Sequence, residues 1–177
     1  NSFYYTLPSM VDGLTVNASL NTTGTTGNNA LGYNATYSGV DGLSVSYGMA
    51  DIETGATTTA GDQTVMKASY AYGPVTASYS NSEYDTGAGN TQALAQEVTS
   101  YAVSYTVSDA ISVTYGTETI DSGLSTETDA EYEKISASYT AGGMTLSVTS
   151  ADAENIDHTT DSDADYDYWS LGLSFAF

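Results

Sequence analysis

The sequence predicts an all-β chain, an antiparallel up-and-down transmembrane β-barrel, on three observations. Apolar and polar residues alternate with a period of two in segment after segment, which only extended strands sort onto two faces. Connections alternate short and long along the whole chain, and the acidic residues gather at the long ones. Composition agrees, with Tyr 16, Gly 17 and Pro 2, and an abundance of Ser, Thr and Ala that disfavours helix and suits a pleated surface.

The last segment shows the alternation most clearly. Trp169, Leu171, Leu173, Phe175 and Phe177 fill every second position, with Ser170, Gly172, Ser174 and Ala176 between them. From the other end, Phe3, Tyr5 and Leu7 alternate with Ser2, Tyr4 and Thr6, and a turn at Asp12-Gly13 leads to Leu14, Val16, Ala18 and Leu20. A polar stretch at 21–29 follows. The next strand carries Leu31, Tyr33, Ala35 and Tyr37, and an Asp41-Gly42 turn leads to Leu43, Val45, Tyr47 and Met49. Met66, Ala68, Tyr70 and Tyr72 then turn at Gly73-Pro74 into Val75, Ala77 and Tyr79. After a loop at 87–97 come Tyr101, Val103, Tyr105 and Val107, a Ser108-Asp109 turn, and Ile111, Val113 and Tyr115. After a loop at 122–131 come Ile135, Ala137 and Tyr139, a Gly142-Gly143 turn, and Met144, Leu146 and Val148. An acidic stretch at 152–165 leads into the final strand, giving eleven strands in 177 residues, one domain.

Short connections with turn chemistry at one end and long polar loops at the other match a membrane barrel. Of the 22 acidic residues only Asp12, Asp41 and Asp109 lie in short turns; all the others lie in long loops or the adjoining strand ends. Lys plus Arg number 2, so the net charge is -20, which excludes a polyanion such as nucleic acid as partner. Cysteine is absent, excluding a disulfide framework and a thiolate metal site. No run of about 18 apolar residues offers a transmembrane helix. No basic-plus-apolar leader opens the chain, so an exported protein would have lost its leader before this point. A mean hydropathy of -0.22 does not discriminate, because a barrel turns only alternate residues to lipid.

The opening Phe3-Tyr4-Tyr5-Thr6-Leu7-Pro8-Ser9-Met10-Val11-Asp12-Gly13-Leu14-Thr15-Val16 resembles a segment of the Gram-negative general porins. There a Tyr-Thr-x-Pro strand, an x-x-Gly turn and an apolar strand follow the inward-folded third loop. Phe177 matches the same family at the other end, where the final aromatic belongs to the assembly signal, here Trp169, Leu171, Leu173, Phe175 and Phe177. The resemblance implies that the first strand is the family's sixth and that residues 1–177 are the carboxyl-terminal eleven strands of a sixteen-stranded barrel. An odd count agrees, since an up-and-down antiparallel barrel closes on an even one. It also implies a homotrimer in the outer membrane of a Gram-negative bacterium, passing small hydrophilic solutes. The constriction loop and the early strands that carry the family's arginine cluster are not in the chain.

By parity Thr15, Asn17, Ser44, Ser46, Lys67, Ser104, Thr106, Glu118, Lys134, Ser147 and Ser170 point into the lumen. A Lys facing lipid near mid-membrane costs about 2–4 kcal/mol, which favours the lumen for both lysines. They are either fixed charges on the wall or rim charges balancing loop carboxylates. Inward aromatics are few, chiefly Tyr4, Tyr84 and Tyr168, which suits a non-specific pore. Asp161, Asp163 and Asp165 are a weak Ca²⁺ candidate: the oxygen ligands are there, but the Gly and distal Glu of an EF-hand loop are not. The single His158 cannot supply a zinc site and reads as a solvated loop residue. No nucleophile-and-base constellation is present, so no catalytic residue is assigned and no cofactor is expected.

Three functions fit this reading. The first is a passive diffusion channel, preferring cations because carboxylates crowd one mouth. The second is a membrane-anchored structural or adhesion barrel whose acidic loops do the work, and the third a secreted soluble β-protein.

Overall fold

The computed structural model describes residues 2–22, 29–53, 61–86, 96–124, 126–160 and 165–176. They form eleven strands: β1 (Ser2–Thr6), β2 (Leu14–Thr22), β3 (Asn29–Tyr37), β4 (Leu43–Glu53), β5 (Gly61–Tyr72), β6 (Val75–Thr86), β7 (Gln96–Ser108), β8 (Ile111–Asp121), β9 (Ala130–Ala141), β10 (Met144–Glu154) and β11 (Tyr166–Phe175). Each strand pairs antiparallel with the next in one sheet of order β1 to β11. Among the described residues β1 and β11 do not pair, so the sheet is open at both edges.

Turn chemistry sets the short connections. Val11 to Gly13 and Val40 to Gly42 close tight turns, with Leu14 N–H donating to Val11 C=O at 3.1 Å and Leu43 N–H to Val40 C=O at 3.0 Å. Both Asp-Gly glycines take φ of 74°, the left-handed region an L side chain resists. At β9–β10, Gly142 and Gly143 have φ of 58° and 80°, and two central residues at positive φ are what a hairpin turn matching the sheet twist requires. The register of β7 on β8 shifts between Thr106 and Ser108, a bulge beside the Asp109 turn.

The strands run further toward the long loops than the apolar alternation does. Alternation begins at Met66, yet β5 begins at Gly61; β7 begins at Gln96 rather than Tyr101; β10 continues through Asp152 to Glu154, residues expected in a loop. A ladder needs only a backbone partner, so pairing continues after the side chains turn polar.

Among the described residues nothing packs against this sheet. Among the described residues Ala130 is the one buried apolar side chain, whereas Trp169 is 76% exposed, Leu171 63% and Phe175 58%. Strand parity separates two surfaces. Leu14, Val16, Val45, Tyr47, Val103, Tyr105, Leu146, Val148, Leu171 and Leu173 share one, and the other carries mainly Ser, Thr, Asn, Gly and Ala, with Ile52, Val65, Val98, Ile120 and a few tyrosines toward the loop ends. Hollows of about 290 and 380 Å³ lie on the polar side, lined by Asn17, Asn34 and Gln63 and by Ser46, Lys67 and Ser80; from Ser44 to Glu53 in β4 every polar-side position is less exposed than its apolar-side neighbours, so that face is the concave one.

A side chain at Gly42 meets the Ala71 carbonyl, whereas one at Gly73, also at positive φ, meets open space. Gly42→Ala therefore lowers stability by about 1–3 kcal/mol, and by more than Gly73→Ala, in urea titrations followed by circular dichroism. Equal losses would mean that backbone strain alone matters at Gly42.

Candidate functional site

The concave face carries an unbroken row of register partners: Thr15, Thr36, Ser46, Lys67, Ser80, Ser100, Glu118, Tyr132, Ala153 and Tyr166, one from each of β2 to β11. Short side chains with one hydroxyl or amide reach across a strand spacing of about 4.8 Å, so they bond sideways. Thr6 Oγ1 donates to Asn17 Oδ1 at 2.7 Å and Asn17 Nδ2 to Asn34 Oδ1 at 2.7 Å. Ser104 and Thr114 share a bond of 2.9 Å, Ser112 and Ser138 one of 2.7 Å, and Thr140 and Thr145 one of 3.0 Å. Ser100 Oγ donates to Glu118 at 2.7 Å. Such a face is wettable, and its hydroxyls are held in place by their neighbours.

Among the residues singled out by parity, Thr15, Asn17, Ser44, Ser46, Lys67, Ser104, Thr106, Glu118, Lys134, Ser147 and Ser170 all fall on this side. Lys67 stands among hydroxyls, in a hollow lined by Ser44, Ser46, Ser69, Ser78, Ser80 and Ser100. Lys134 lies opposite Gly116 and Ala151. No ion pair to either lysine occurs among the described residues. The balancing of loop carboxylates, one of the two roles read for these lysines, is not seen there.

On the convex face tyrosines flank the apolar positions on both sides, Tyr37, Tyr70, Tyr72, Tyr105 and Tyr139 near the turns and Tyr33, Tyr47, Tyr79, Tyr101 and Tyr115 further toward the loops, where carboxylates follow at most strand ends. Tyr79 and Tyr101 meet across β6 and β7 with ring centroids 5.1 Å apart. Tyr115 Oη donates to Glu133 Oε1 at 3.1 Å, and Asn81 Nδ2 donates to Glu97 Oε1 at 2.6 Å. Beyond them, acids face acids directly: Asp51 with Asp62, Asp62 with Asp85, Glu83 with Glu97, Glu97 with Asp121, Glu133 with Asp152, and Asp152 with Asp167. The acidic residues expected around a mouth therefore stand mainly on the outside of the strand ends; of the strand carboxylates in this row and band, Glu118 alone has the concave parity.

Trp169, Leu171, Leu173 and Phe175 lie on the convex face of β11, opposite Ser150, Val148, Leu146 and Met144. Phe177, Asp161 and Asp163 lie outside the described residues. Asp165 accepts a hydrogen bond from Asn155 N–H at 3.1 Å, which commits one oxygen to the loop, and no group able to hold a metal occurs among the described residues. His158 departs from expectation. It is half-buried and clips two loops together, with Nδ1 3.0 Å from Thr128 C=O and Thr128 N–H donating to His158 C=O at 3.2 Å. The lone-His argument misses this, because a contact between distant loops leaves no periodic trace. Two inward tyrosines were also missed, Tyr132 and Tyr166, although Tyr132 shares its parity with Lys134 and Tyr166 with Tyr168.

No protein-family model and no curated protein matches the sequence. Solved structures do. An anion-selective porin from Comamonas acidovorans is similar at 17% identity and TM-score 0.69, over 100% of this chain and 59% of that one. A second porin is similar at 21% identity and TM-score 0.67, over 98% of this chain and 60% of that one. OmpT, an outer membrane protein of Vibrio cholerae, is similar at 16% identity and TM-score 0.64, over 98% of this chain and 63% of that one.

The fold is that of the porin barrels. This chain spans between 59% and 63% of the length of those neighbours, so its open sheet corresponds to part of a porin wall. On that wall the opposed carboxylates lie next to the long loops.

Like charges directly opposite each other in a sheet destabilise it by a few tenths of a kcal/mol per pair. Raising NaCl from about 10 mM to about 500 mM shortens the Debye length from roughly 30 Å to under 5 Å and relieves that repulsion. The melting temperature in neutral detergent therefore rises with salt, and Asp62→Asn, which relieves two opposed pairs, weakens the salt dependence. A melting temperature indifferent to salt would mean that the carboxylates already splay apart.

Proposed function

We propose that the protein is an outer-membrane porin of a Gram-negative bacterium, a passive diffusion channel for small hydrophilic solutes and ions. The observation that carries this reading is the inverted sorting of its side chains. Water-compatible groups line the concave face, and Leu, Val, Phe and Tyr cover the convex one. A soluble barrel or sandwich buries its apolar face inside, whereas a membrane barrel turns it to lipid and keeps a polar lumen. The strands from β2 to β11 are 9 to 13 residues long, which suits a tilted membrane crossing. The porin fold of the neighbours supports the same reading.

In this reading Thr15, Asn17, Ser44, Ser46, Ser104, Thr106 and Ser147 are the neutral, hydrated part of the wall, with Lys67, Lys134 and Glu118 as its fixed charges. The tyrosines of the convex face put ring in lipid and hydroxyl among headgroups. Trp169, Leu171, Leu173, Phe175 and Phe177 form the assembly signal. The assembly is a homotrimer. The channel needs no cofactor, catalyses no reaction, and prefers cations through the carboxylates at its loop-side rim.

Two measurements test this. With single cysteines, a water-soluble maleimide added to the membrane-inserted protein labels position 147 and not position 146; the reverse would overturn the face assignment. In planar bilayers under a tenfold KCl gradient, the reversal potential shows cation preference that declines as salt is raised. Lys67→Glu increases that preference. Absence of conductance steps would sink the channel, and anion preference at all salt concentrations would sink the role of the rim carboxylates.

A further inference from the structure

One hollow of the concave face differs from the others. It has about 410 Å³, lies at the loop side of β9, β10 and β11, and is lined by Tyr132, Lys134, Ala151, Ala153, Tyr166 and Tyr168, with Ile156 from the loop that follows β10. Register brings the rings together: Tyr132 is opposite Ala153, Ala153 opposite Tyr166, and Ala151 opposite both Lys134 and Tyr168. Two alanines in β10 thus leave a gap between tyrosines on either side. Six serines line the hollow around Lys67, beside Tyr79, Tyr101, Ala68 and Ala102, whereas among the described residues no serine or threonine lines this one.

The loop over it is built. His158 N–H donates to Asn155 C=O at 2.7 Å, closing a turn in which Asn155 and His158 both take positive φ. The His158–Thr128 pair ties that turn to the loop before β9, and the Asn155–Asp165 bond ties it to the residue before Tyr166. Ile156 is carried at the centre of this clipped turn.

Charge selects among ligands. Glu133 and Asp152 reach the hollow, but both have convex parity: Glu133 accepts the Tyr115 hydroxyl on that outer face, and Asp167, the register partner of Asp152, stands there too. Glu118, next to Tyr132 on the concave face, accepts the Ser100 hydroxyl on its far side. Lys134 is therefore the one charged side chain directed into an otherwise apolar, aromatic hollow. Flat rings stack on tyrosine faces, and an ammonium at the edge takes an anion. A sugar would need polar partners around its ring, which the two alanines and Ile156 do not offer.

We infer that this hollow is a binding site for a small aromatic carboxylate, its ring between the tyrosines and its carboxylate on Lys134. A volume of this size accommodates a single ring. The site goes beyond the channel reading and does not depend on conduction, only on solvent reaching the concave face.

Saturation-transfer NMR on the detergent-solubilised protein, with micelles alone subtracted, tests it using benzoate, benzyl alcohol and acetate as probes. Benzoate ring protons receive saturation with a dissociation constant of about 1–10 mM. Benzyl alcohol binds more weakly, and acetate does not displace benzoate. Lys134→Gln weakens benzoate about threefold to tenfold and leaves benzyl alcohol unchanged, and Lys134→Arg restores benzoate. Tyr166→Ser with Tyr168→Ser weakens both aromatic probes. No saturation of benzoate, or equal binding of benzoate and benzyl alcohol unaffected by Lys134→Gln, would overturn the proposal, as would displacement by acetate. Normal conductance without benzoate binding removes this site alone; binding without conductance removes the channel alone.

Discussion

A single-layer sheet has no interior, and that constraint governs everything else in this chain. Between neighbouring strands backbone N–H and C=O groups find partners without a core, leaving only the outer edges of β1 and β11 unpaired among the described residues. The side chains then face whatever medium lies on each side. Apolar groups as exposed as Trp169, Leu171 and Phe175 would leave a large adhesive surface in water. Lipid removes that cost, because a Leu in hydrocarbon is already in its preferred solvent. The polar face faces the opposite test and passes it through sideways hydrogen bonds and water. In the proposed membrane setting two media therefore take the place of a packed core, and the period of two sorts the side chains between them.

The same code explains where alternation stops and strands do not. Above the apolar band the convex face needs side chains suited first to headgroups and then to water. In β6 a tyrosine comes first and carboxylates follow in the same parity, as Tyr79, Asn81, Glu83 and Asp85. The opposed acids cost stability, but at an exposed rim the cost is small and salt reduces it. Strand pairing thus continues to Glu53, Thr86, Asp121 and Glu154.

Much of this was legible in the residues. Parity assigned Leu146 and Ser147 to opposite faces, and Asp-Gly and Gly-Gly located the turns, because both signals are local and each has one structural solution. The loop-side strand ends were not legible: once residues such as Asp62 and Thr64 are polar, a pattern of hydrophobicity cannot distinguish strand from loop. His158 looked solvated because its partner, Thr128, lies thirty residues away in another loop. The aromatic hollow was half visible. Tyr168 was placed inward, but Tyr166 and Tyr132 sit where the strands had been thought to end, and only the register of three strands brings them to one gap.

In the proposed channel, face assignment also decides which charges matter to a solute. A rim carboxylate acts across the sheet, about 10 Å from a solute in the lumen, where a unit charge is worth roughly 0.4 kcal/mol in water before screening and about a third of that at physiological salt. Lys67 or Lys134, on the wall itself, approaches a passing ion to about 5 Å, where the screened interaction is roughly 0.5 kcal/mol. About three or four rim carboxylates thus balance one wall lysine. The described rim carries more than that for each of the two lysines, with Asp51, Glu53, Asp62, Glu83, Asp85, Glu97 and Asp121 in the β4 to β8 segment alone. In the proposed channel the carboxylates are therefore expected to win at low ionic strength. Their lead rests on the longer distance, so added salt erodes it faster than it erodes the lysines, and the wall charges count for more as screening grows.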